Sequence, residues 1–325
     1  MPTLSVIIVS WNVRDLLRRA LASVYASWDE QPGLEVIVVD NASCDDSVAM
    51  MRDDFPQVNV IANTENRGFT GGNNQGLVAA SGDFLLLLNP DTEVVGDALP
   101  RMVAYLQAQP DVGMVGPQLL NPDGSVQSSR RRFPTLPVLF FESTWLEKCA
   151  PRRWLRYYYA QDKPDGDIQD VDWVTGAAML TRREVVAQVG GLDEGFFMYS
   201  EELDWCRRIR AVGRRVVYFP EARIIHYEGK SSEQVVPARH IYFQSSKVRY
   251  TRKYHGAVWA EALRLWLLAQ YAWQIGVEGI KWVIGHRREL RAARIAAYRQ
   301  VLRSRLRISK WKSQRIGEWR MANGE

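Results

Sequence analysis

Five short apolar runs punctuate the first third of the chain, each separated from the next by a stretch of helical pattern. Leu4–Val9, Glu35–Val39, Val58–Ala62, Phe84–Leu88 and Val112–Pro117 have the length and β-branched content of strands. Between them, Leu16, Leu17, Ala20, Leu21 and Val24 recur as one helical stripe behind a cap at Asn12. Ser43 is placed to cap a second helix to about Phe55, a third covers about Asn74–Ala80, and residues 97–109 a fourth. Strands alternating with helices at this spacing predict an α/β fold built on a doubly wound, mostly parallel sheet. Phe84–Leu88 is apolar without alternation, as in a strand covered on both faces. Pro90 then ends the strand and leaves Asp91 at its C-terminal tip. Ligands of open α/β sheets bind at such tips, and a carboxylate there suits a hard divalent cation carrying phosphate oxygens. An ordinary Pro-Asp turn is the competing explanation.

Farther along, residues 121–170 lose the pattern and read as a mobile, lid-like insertion containing Arg130-Arg-Arg132 and Tyr157-Tyr-Tyr159. The arginine run suits phosphates or is simply a solvated face. Asp172–Leu180 is a strand whose small residues admit close approach, and Arg183–Val189 is a helix closed by Gly190-Gly191. A helix at 201–211 follows, with Ser200 as its cap and Glu201, Glu202 and Asp204 in its first turn. Acids there offset the helix dipole, but three carboxylates exceed what a cap needs. Arg215–Phe219 and Arg223–His226 are two further strands. The Asn63–Asn74 loop lacks GxGxxG spacing and does not follow the first strand, so a dinucleotide fold is disfavoured. The amides at its helix start are instead suited to a diphosphate.

Composition excludes several classes. With 46% hydrophobic and 24% charged residues over 325 positions, the chain folds around a proper core. Cys44, Cys149 and Cys206 lie far apart and are odd in number, against a disulfide framework or a zinc site. Leu4–Val9 occupies the place of a signal sequence, so secretion by that route is not expected. Residues 281–320 hold thirteen Lys/Arg and two acids, a net of +11, so the remainder is about −6 against the total of +5. Ahead of that segment, residues 257–284 are rich in Trp, Leu and Ile, with a charge-free part too short to span a bilayer. The pair reads as a tail (256–325) lying in a membrane interface against anionic lipid. A helical hairpin packed on the catalytic domain, or a homodimer contact, competes with this; no nucleic-acid recognition motif accompanies the basic tail.

Six motifs stand in a telling order: Val38-Val-Asp-Asn-Ala-Ser43, Asn66-Arg-Gly-Phe-Thr-Gly-Gly-Asn73, Asn89-Pro-Asp91, Gly176-Ala-Ala-Met179, Phe196–Asp204 and His226. In these the chain resembles family 2 glycosyltransferases of the GT-A fold, particularly their rhamnosyltransferase-like branch, over a domain of residues 1–255. The resemblance implies a metal-dependent, inverting hexosyltransferase working on a nucleotide-diphospho-sugar, with rhamnose from dTDP-rhamnose as donor. It implies a lipid-linked or polysaccharide acceptor of the cell envelope and a peripheral place at the cytoplasmic face of the membrane. Asp40 matches the acid that reads the pyrimidine imide, beside Ser10, Trp11 and Asn12; Asn66, Gly68, Asn73, Asn89 and Gly176 complete the implied donor site. Asn89-Pro-Asp91 departs from the family's DxD by its Asn, leaving Asp91 and His226 as ligands for Mn²⁺ or Mg²⁺. Glu202 takes the position of the base, with Glu201 and Asp204 binding acceptor or holding the loop. A UDP-hexose or UDP-galactofuranose transferase, and a non-catalytic glycan-assembly partner, are the alternatives.

Overall fold

Residues 3–29, 31–142, 144–227, 236–285 and 287–307 are described by a computed structural model. The first half runs β1 (Leu4–Ser10), α1 (Arg14–Ser27), β2 (Leu34–Asp40), α2 (Ser47–Asp54), β3 (Asn59–Ala62), α3 (Gly68–Ala79), β4 (Phe84–Leu88), β5 (Thr92–Val95), α4 (Ala98–Ala108) and β6 (Val112–Leu120). There follow β7 (Val126–Gln127), β8 (Arg130–Arg131), α5 (Leu136–Phe141), a 3₁₀ turn (Trp145–Cys149), α6 (Arg152–Tyr158), β9 (Gln169–Val171), β10 (Trp173–Val174) and β11 (Ala178–Arg182). The chain continues through α7 (Arg183–Val189), α8 (Glu201–Ala211), β12 (Arg215–His226), α9 (Val236–His255), α10 (Ala257–Val283) and α11 (Arg288–Ser304).

One mixed sheet carries the order β3-β2-β1-β4-β11-β6-β12-β5, with β7 on β6 and β9 on β12. Its first four strands are parallel, and β11 is antiparallel to both β4 and β6. Phe84, Leu86 and Leu88 enter one core with Val6, Ile8 and Val38, while Leu85 and Leu87 enter the other with Ile7, Val9 and Ile37. The unbroken apolar run is therefore a strand with two buried faces, each Leu contributing roughly 1.5–3 kcal/mol by burial.

Several local expectations are corrected. The glycine-rich segment is not a loop ahead of a helix at Asn74; α3 already begins at Gly68. A Cβ at Gly72 would lie 2.8 Å from Val9 Cγ1, and one at Gly76 would overlap Ile7 Cγ2, so the glycines let α3 lie close on β1. Close packing compensates the helix cost of glycine. Asn12 does not cap α1: its Oδ1 accepts from the Cys44 amide (2.8 Å), and the Arg14 amide donates to Asp45 Oδ2 (2.8 Å). Nor does Ser43 cap α2, which starts at Ser47; its Oγ accepts from the Asn12 amide (2.9 Å). Ser200 stands before α8 as expected but makes no side-chain cap, being held in the left-handed region. The two strands expected at 215–226 are one, β12, with a register shift around Pro220.

Residues 121–170 are organised rather than irregular. β7 and β9 pair with β6 and β12, which pins the segment to the sheet, and β8 pairs with β10 in a separate two-stranded ribbon. Helix α9 then clamps it: Lys247, buried, donates to Glu142 Oε2 (2.8 Å) and to the Glu142 carbonyl (2.7 Å). Beyond Gly256 (φ 92°), α10 and α11 form an antiparallel hairpin, since Arg264 reaches the Arg305 carbonyl (2.9 Å) and Glu278 meets Arg291 (2.7 Å). Ala260, Leu263, Leu267 and Tyr271 pack inward, and Trp266 Nε1 donates to the Phe140 carbonyl (3.0 Å). The tail thus takes the packed-hairpin form as far as residue 307. Lys310, Lys312, Arg315, Glu318 and Arg320 of the basic segment lie outside the described residues.

Candidate active site

The C-terminal tips of β1, β2 and β4 end on one edge of the sheet. Register pairs Ser10 with Asp40 and Ile8 with Leu88, so Ser10, Asp40 and Asn89 emerge side by side. Asp40 Oδ2 accepts from the Ser43 amide (2.9 Å), fixing the carboxylate, while Oδ1 is buried without a partner. The Ser10 hydroxyl beside it is buried and unpartnered too. Half-buried Trp11 and Asn12 form the loop over this corner. Ser10 Oγ and Asp40 Oδ1 are thus two buried, unpartnered polar atoms at neighbouring strand ends.

Asp91 and His226 come together from distant sequence because β5 pairs antiparallel with β12, setting Thr92 opposite His226. His226 Nε2 stands 3.5 Å from Asp91 Oδ1, and its Nδ1 lies 2.7 Å from Gln127 Oε1. A hydrogen bond from Nδ1–H to that amide oxygen would leave the Nε2 lone pair facing the carboxylate. Asn89 Oδ1, two residues before Asp91, is buried without a partner. Among the described residues no three His, Cys, Asp or Glu side chains are grouped to hold a metal ion. One carboxylate, one imidazole and one orphaned amide oxygen nonetheless fit a divalent cation that draws its remaining ligands from phosphate and water.

The third part is the start of α8. Tyr199 and Ser200 both have positive φ (70° and 66°), a left-handed pair that turns the chain sharply before Glu201 and Glu202. A Cβ built on Gly176 would sit 3.7 Å from the Glu202 Cβ, an ordinary contact distance that places residue 176 beside the base candidate. Glu201 Oε2 and Glu202 Oε2 are both buried without a hydrogen-bond partner. Burial pushes the Glu202 carboxyl up to about 7, opposed by the backbone amides of Glu202, Leu203 and Ser200 and by the Arg131 charge. Glu201 is held well above the usual carboxylate range by burial and by its neighbour's charge. A carboxylate tuned toward neutrality is the form a general base takes.

Other expected residues serve the frame. Asn66 Oδ1 accepts from the Gly68 amide (2.8 Å), and buried Asn73 donates through Nδ2 to the Phe69 carbonyl (2.9 Å). The amides of Phe69 (3.0 Å) and Thr70 (3.4 Å) both point at the Phe197 carbonyl. The start of α3 is therefore not a diphosphate cradle; it docks the loop before α8. Asp204 is fully buried and bound by Arg208 (2.9 Å), Lys253 (2.6 Å) and Tyr254 (2.6 Å), which ties α8 to α9. It holds the loop rather than facing a substrate. Two residues named in the sequence reading only as members of longer runs acquire individual places. Asn41, within the Val38–Ser43 motif, bridges the β2 tip to the Gly68 carbonyl (3.0 Å) and Asn63 (3.0 Å). Arg131 lies near Glu202, and strand alternation within Arg130-Arg-Arg132 was its one available signal.

An acid at the tip of β2, a carboxylate–imidazole pair and a buried acid couple are thus the chemistry-bearing groups of this α/β fold. The model for glycosyl transferase family 2 matches residues 5–190, and the chain belongs to that family. It is 28% identical over 277 residues to the N-acetylglucosaminyl-diphospho-decaprenol L-rhamnosyltransferase of Mycobacterium tuberculosis, covering 82% of this chain and 89% of that protein. It is 29% identical over 161 residues to the rhamnosyltransferase WbbL of Escherichia coli, covering 46% and 53%. The mannosyltransferase of Pyrobaculum calidifontis, solved with GDP-Man and Mn²⁺, superposes at TM-score 0.55 with 17% identity over 94% of this chain and 87% of that one. The GT-A fold expected from the sequence is the fold observed.

Proposed function

We propose that the chain moves rhamnose from dTDP-rhamnose onto a lipid-linked diphosphate sugar of the cell envelope, by inversion at the anomeric carbon. The observation that carries this reading is the set of buried, unpartnered polar atoms on one sheet edge: Ser10 Oγ, Asp40 Oδ1, Asn89 Oδ1, Glu201 Oε2 and Glu202 Oε2. Donor and acceptor identities draw on the relatives' names. Asp40 would accept the imide N–H of the pyrimidine, with Ser10, Trp11 and Asn12 about the base and ribose. Asp91, His226 and Asn89 would hold a divalent cation, which supplies positive charge to the departing nucleoside diphosphate. Glu202 would take the proton of the acceptor hydroxyl as that oxygen attacks the anomeric carbon and the bond to the diphosphate breaks. One base on the face opposite the leaving group suffices, so no covalent intermediate forms. Titration calorimetry with dTDP, UDP and GDP, with and without Mn²⁺, tests the reading. Metal-dependent preference for dTDP is expected; preference for UDP moves the donor to another sugar, and no binding of any of them refutes the enzymatic reading.

The acceptor's lipid calls for a membrane surface, and we place it on α10. Among the described residues no helix is long and apolar enough to cross a bilayer. Yet Trp259, Leu265, Trp273, Ile280, Trp282 and Ile284 are 44–76% exposed on the hairpin. Trp145, itself exposed, meets Trp273 (centroids 6.4 Å apart) and extends the apolar surface beyond the hairpin. Lys281, Arg287 and Arg288 beside it suit anionic headgroups at the cytoplasmic face. Trp273→Ser with Ile280→Ser should cut sedimentation with anionic vesicles; unchanged binding would refute this surface. Truncation after Gly256 is a poorer probe, because it strips Leu263, Leu267 and Tyr271 from the core.

A further inference from the structure

The run Arg130-Arg-Arg132 divides its three charges by strand alternation. Arg130 is buried and satisfied internally, by the Ala160 carbonyl (3.3 Å), the Lys163 carbonyl (3.0 Å) and Asp165. Arg132 reaches the Asp170 carbonyl (3.2 Å) and Asp162 (3.5 Å). Arg131 points the other way. Its guanidinium lies over Tyr159 (4.6 Å to the ring centroid), with Trp173 (5.9 Å) and Tyr158 (6.0 Å) around it. Its Nη1 bonds Ser128 Oγ (2.7 Å) and the Arg130 carbonyl (2.9 Å), and no ion pair with a carboxylate is made among the described residues. The aromatic rings hold the fork in place by cation–π contact without neutralising it.

This cation stands on the base's side of the site. Arg131 pairs with Trp173 across β8 and β10, and the Thr175 amide donates to the Ser129 carbonyl (3.0 Å). The arginine strand therefore runs beside Thr175-Gly176, whose bare backbone abuts Glu202. In a direct displacement the base faces away from the leaving diphosphate. A cation next to the base is thus remote from the donor's phosphates and close to whatever the acceptor carries.

We propose that Arg131 is an anchor for the acceptor's own diphosphate, holding its phosphate oxygens through the free edge of the guanidinium while the sugar hydroxyl faces Glu202. The inference rests on the proposed reading of Glu202 as base and of a diphosphate-linked acceptor. It explains why one guanidinium is caged by rings and makes no ion pair among the described residues, when both its neighbours have carboxylate partners. Bidentate pairing with phosphate is the interaction its planar fork makes best.

The test compares wild type, Arg131→Met and Arg131→Lys on two acceptors bearing the same sugar, one on a short prenyl diphosphate and one on a neutral alkyl chain. Arg131→Met should raise KM for the diphosphate acceptor by roughly 10- to 100-fold, the equivalent of one charge-assisted contact. KM for the neutral acceptor and donor affinity by calorimetry should stay within about twofold of wild type. Arg131→Lys, which keeps a cation over Tyr159, should recover part of the loss, and it carries the test if Arg131→Met fails to fold. Equal loss on both acceptors, with the acidic limb of the pH profile moved upward, would overturn the proposal in favour of simple tuning of Glu202. A weakened donor would reassign the cation to the donor's phosphates. If wild type transfers to neither acceptor, the proposed reaction falls and the anchor with it.

Discussion

Two helix starts meet at Phe197, and they have opposite characters. At the start of α3 the first backbone amides are engaged, that of Gly68 by Asn66 and those of Phe69 and Thr70 by the Phe197 carbonyl, while Thr70 Oγ1 alone is buried without a partner. At the start of α8, a few residues past Phe197, two carboxylates are buried with orphaned oxygens behind two left-handed residues. Both segments carry motif residues of the family, and both satisfy the physics of a helix N-terminus. What separates them is the kind of group left over: a single hydroxyl at the first, two carboxylates at the second. Buried carboxylate oxygens without partners cost stability, and the proposed function gives those at the second a substrate to meet.

The comparison is broken most severely at Glu202. Glu202→Gln should lower kcat by roughly 10²–10⁴-fold with donor affinity retained, measured by calorimetry beside turnover. The same substitution should stabilise the protein at neutral pH. Burial raises the folded-state pKa of Glu202 above its unfolded value near 4.5, so folding stability falls as pH rises from there to about 7. Chemical denaturation against pH reads this as a slope that flattens in the variant; an unchanged slope would mean the acid is not strained. In wild type, kcat/KM should rise with pH through the same range as the base loses its proton.

Smaller effects sharpen the contrast. Asp91→Ala should weaken Mn²⁺-dependent donor binding by roughly tenfold or more, the scale of one charged contact, and leave metal-free binding unchanged. A variant with equal affinities in both conditions would remove Asp91 from the metal. Gly76→Ala drives a methyl group into Ile7 and should cost about 1–3 kcal/mol by urea denaturation. Donor affinity of the folded fraction should be kept, and a variant as stable as wild type would dismiss the close-packing account of α3. Asp204→Asn should cost about 1 kcal/mol of stability, because the half-exposed Arg208 and Lys253 can turn to solvent, with kcat little changed. A selective loss of turnover would return Asp204 to the chemistry.

Much of this was written in the chain's local pattern. Phe84–Leu88 reads as a doubly buried strand because each of its residues is apolar, and that requirement is purely local. The alternation of strands and helices required a parallel α/β sheet, and the sheet in turn required Ser10, Asp40 and Asp91 to share an edge. The cluster Glu201, Glu202 and Asp204 stood out as denser than a helix cap needs, while the role of base at Glu202 came from the family resemblance. The sequence could not report which groups would find partners. Asn12 and Ser43 have the residue types of caps, yet Asp45, thirty-one positions beyond Arg14, receives the α1 amide. The resemblance offered His226 as a ligand, but only the pairing of β12 with β5 brought it to Asp91, and only the pairing of β8 with β10 separated Arg131 from its two neighbours. Periodicity determines which face of an element is buried, because that depends on residues a few positions apart. Whether a polar atom is satisfied depends on what the far parts of the chain bring to it, and tertiary pairing alone decided that.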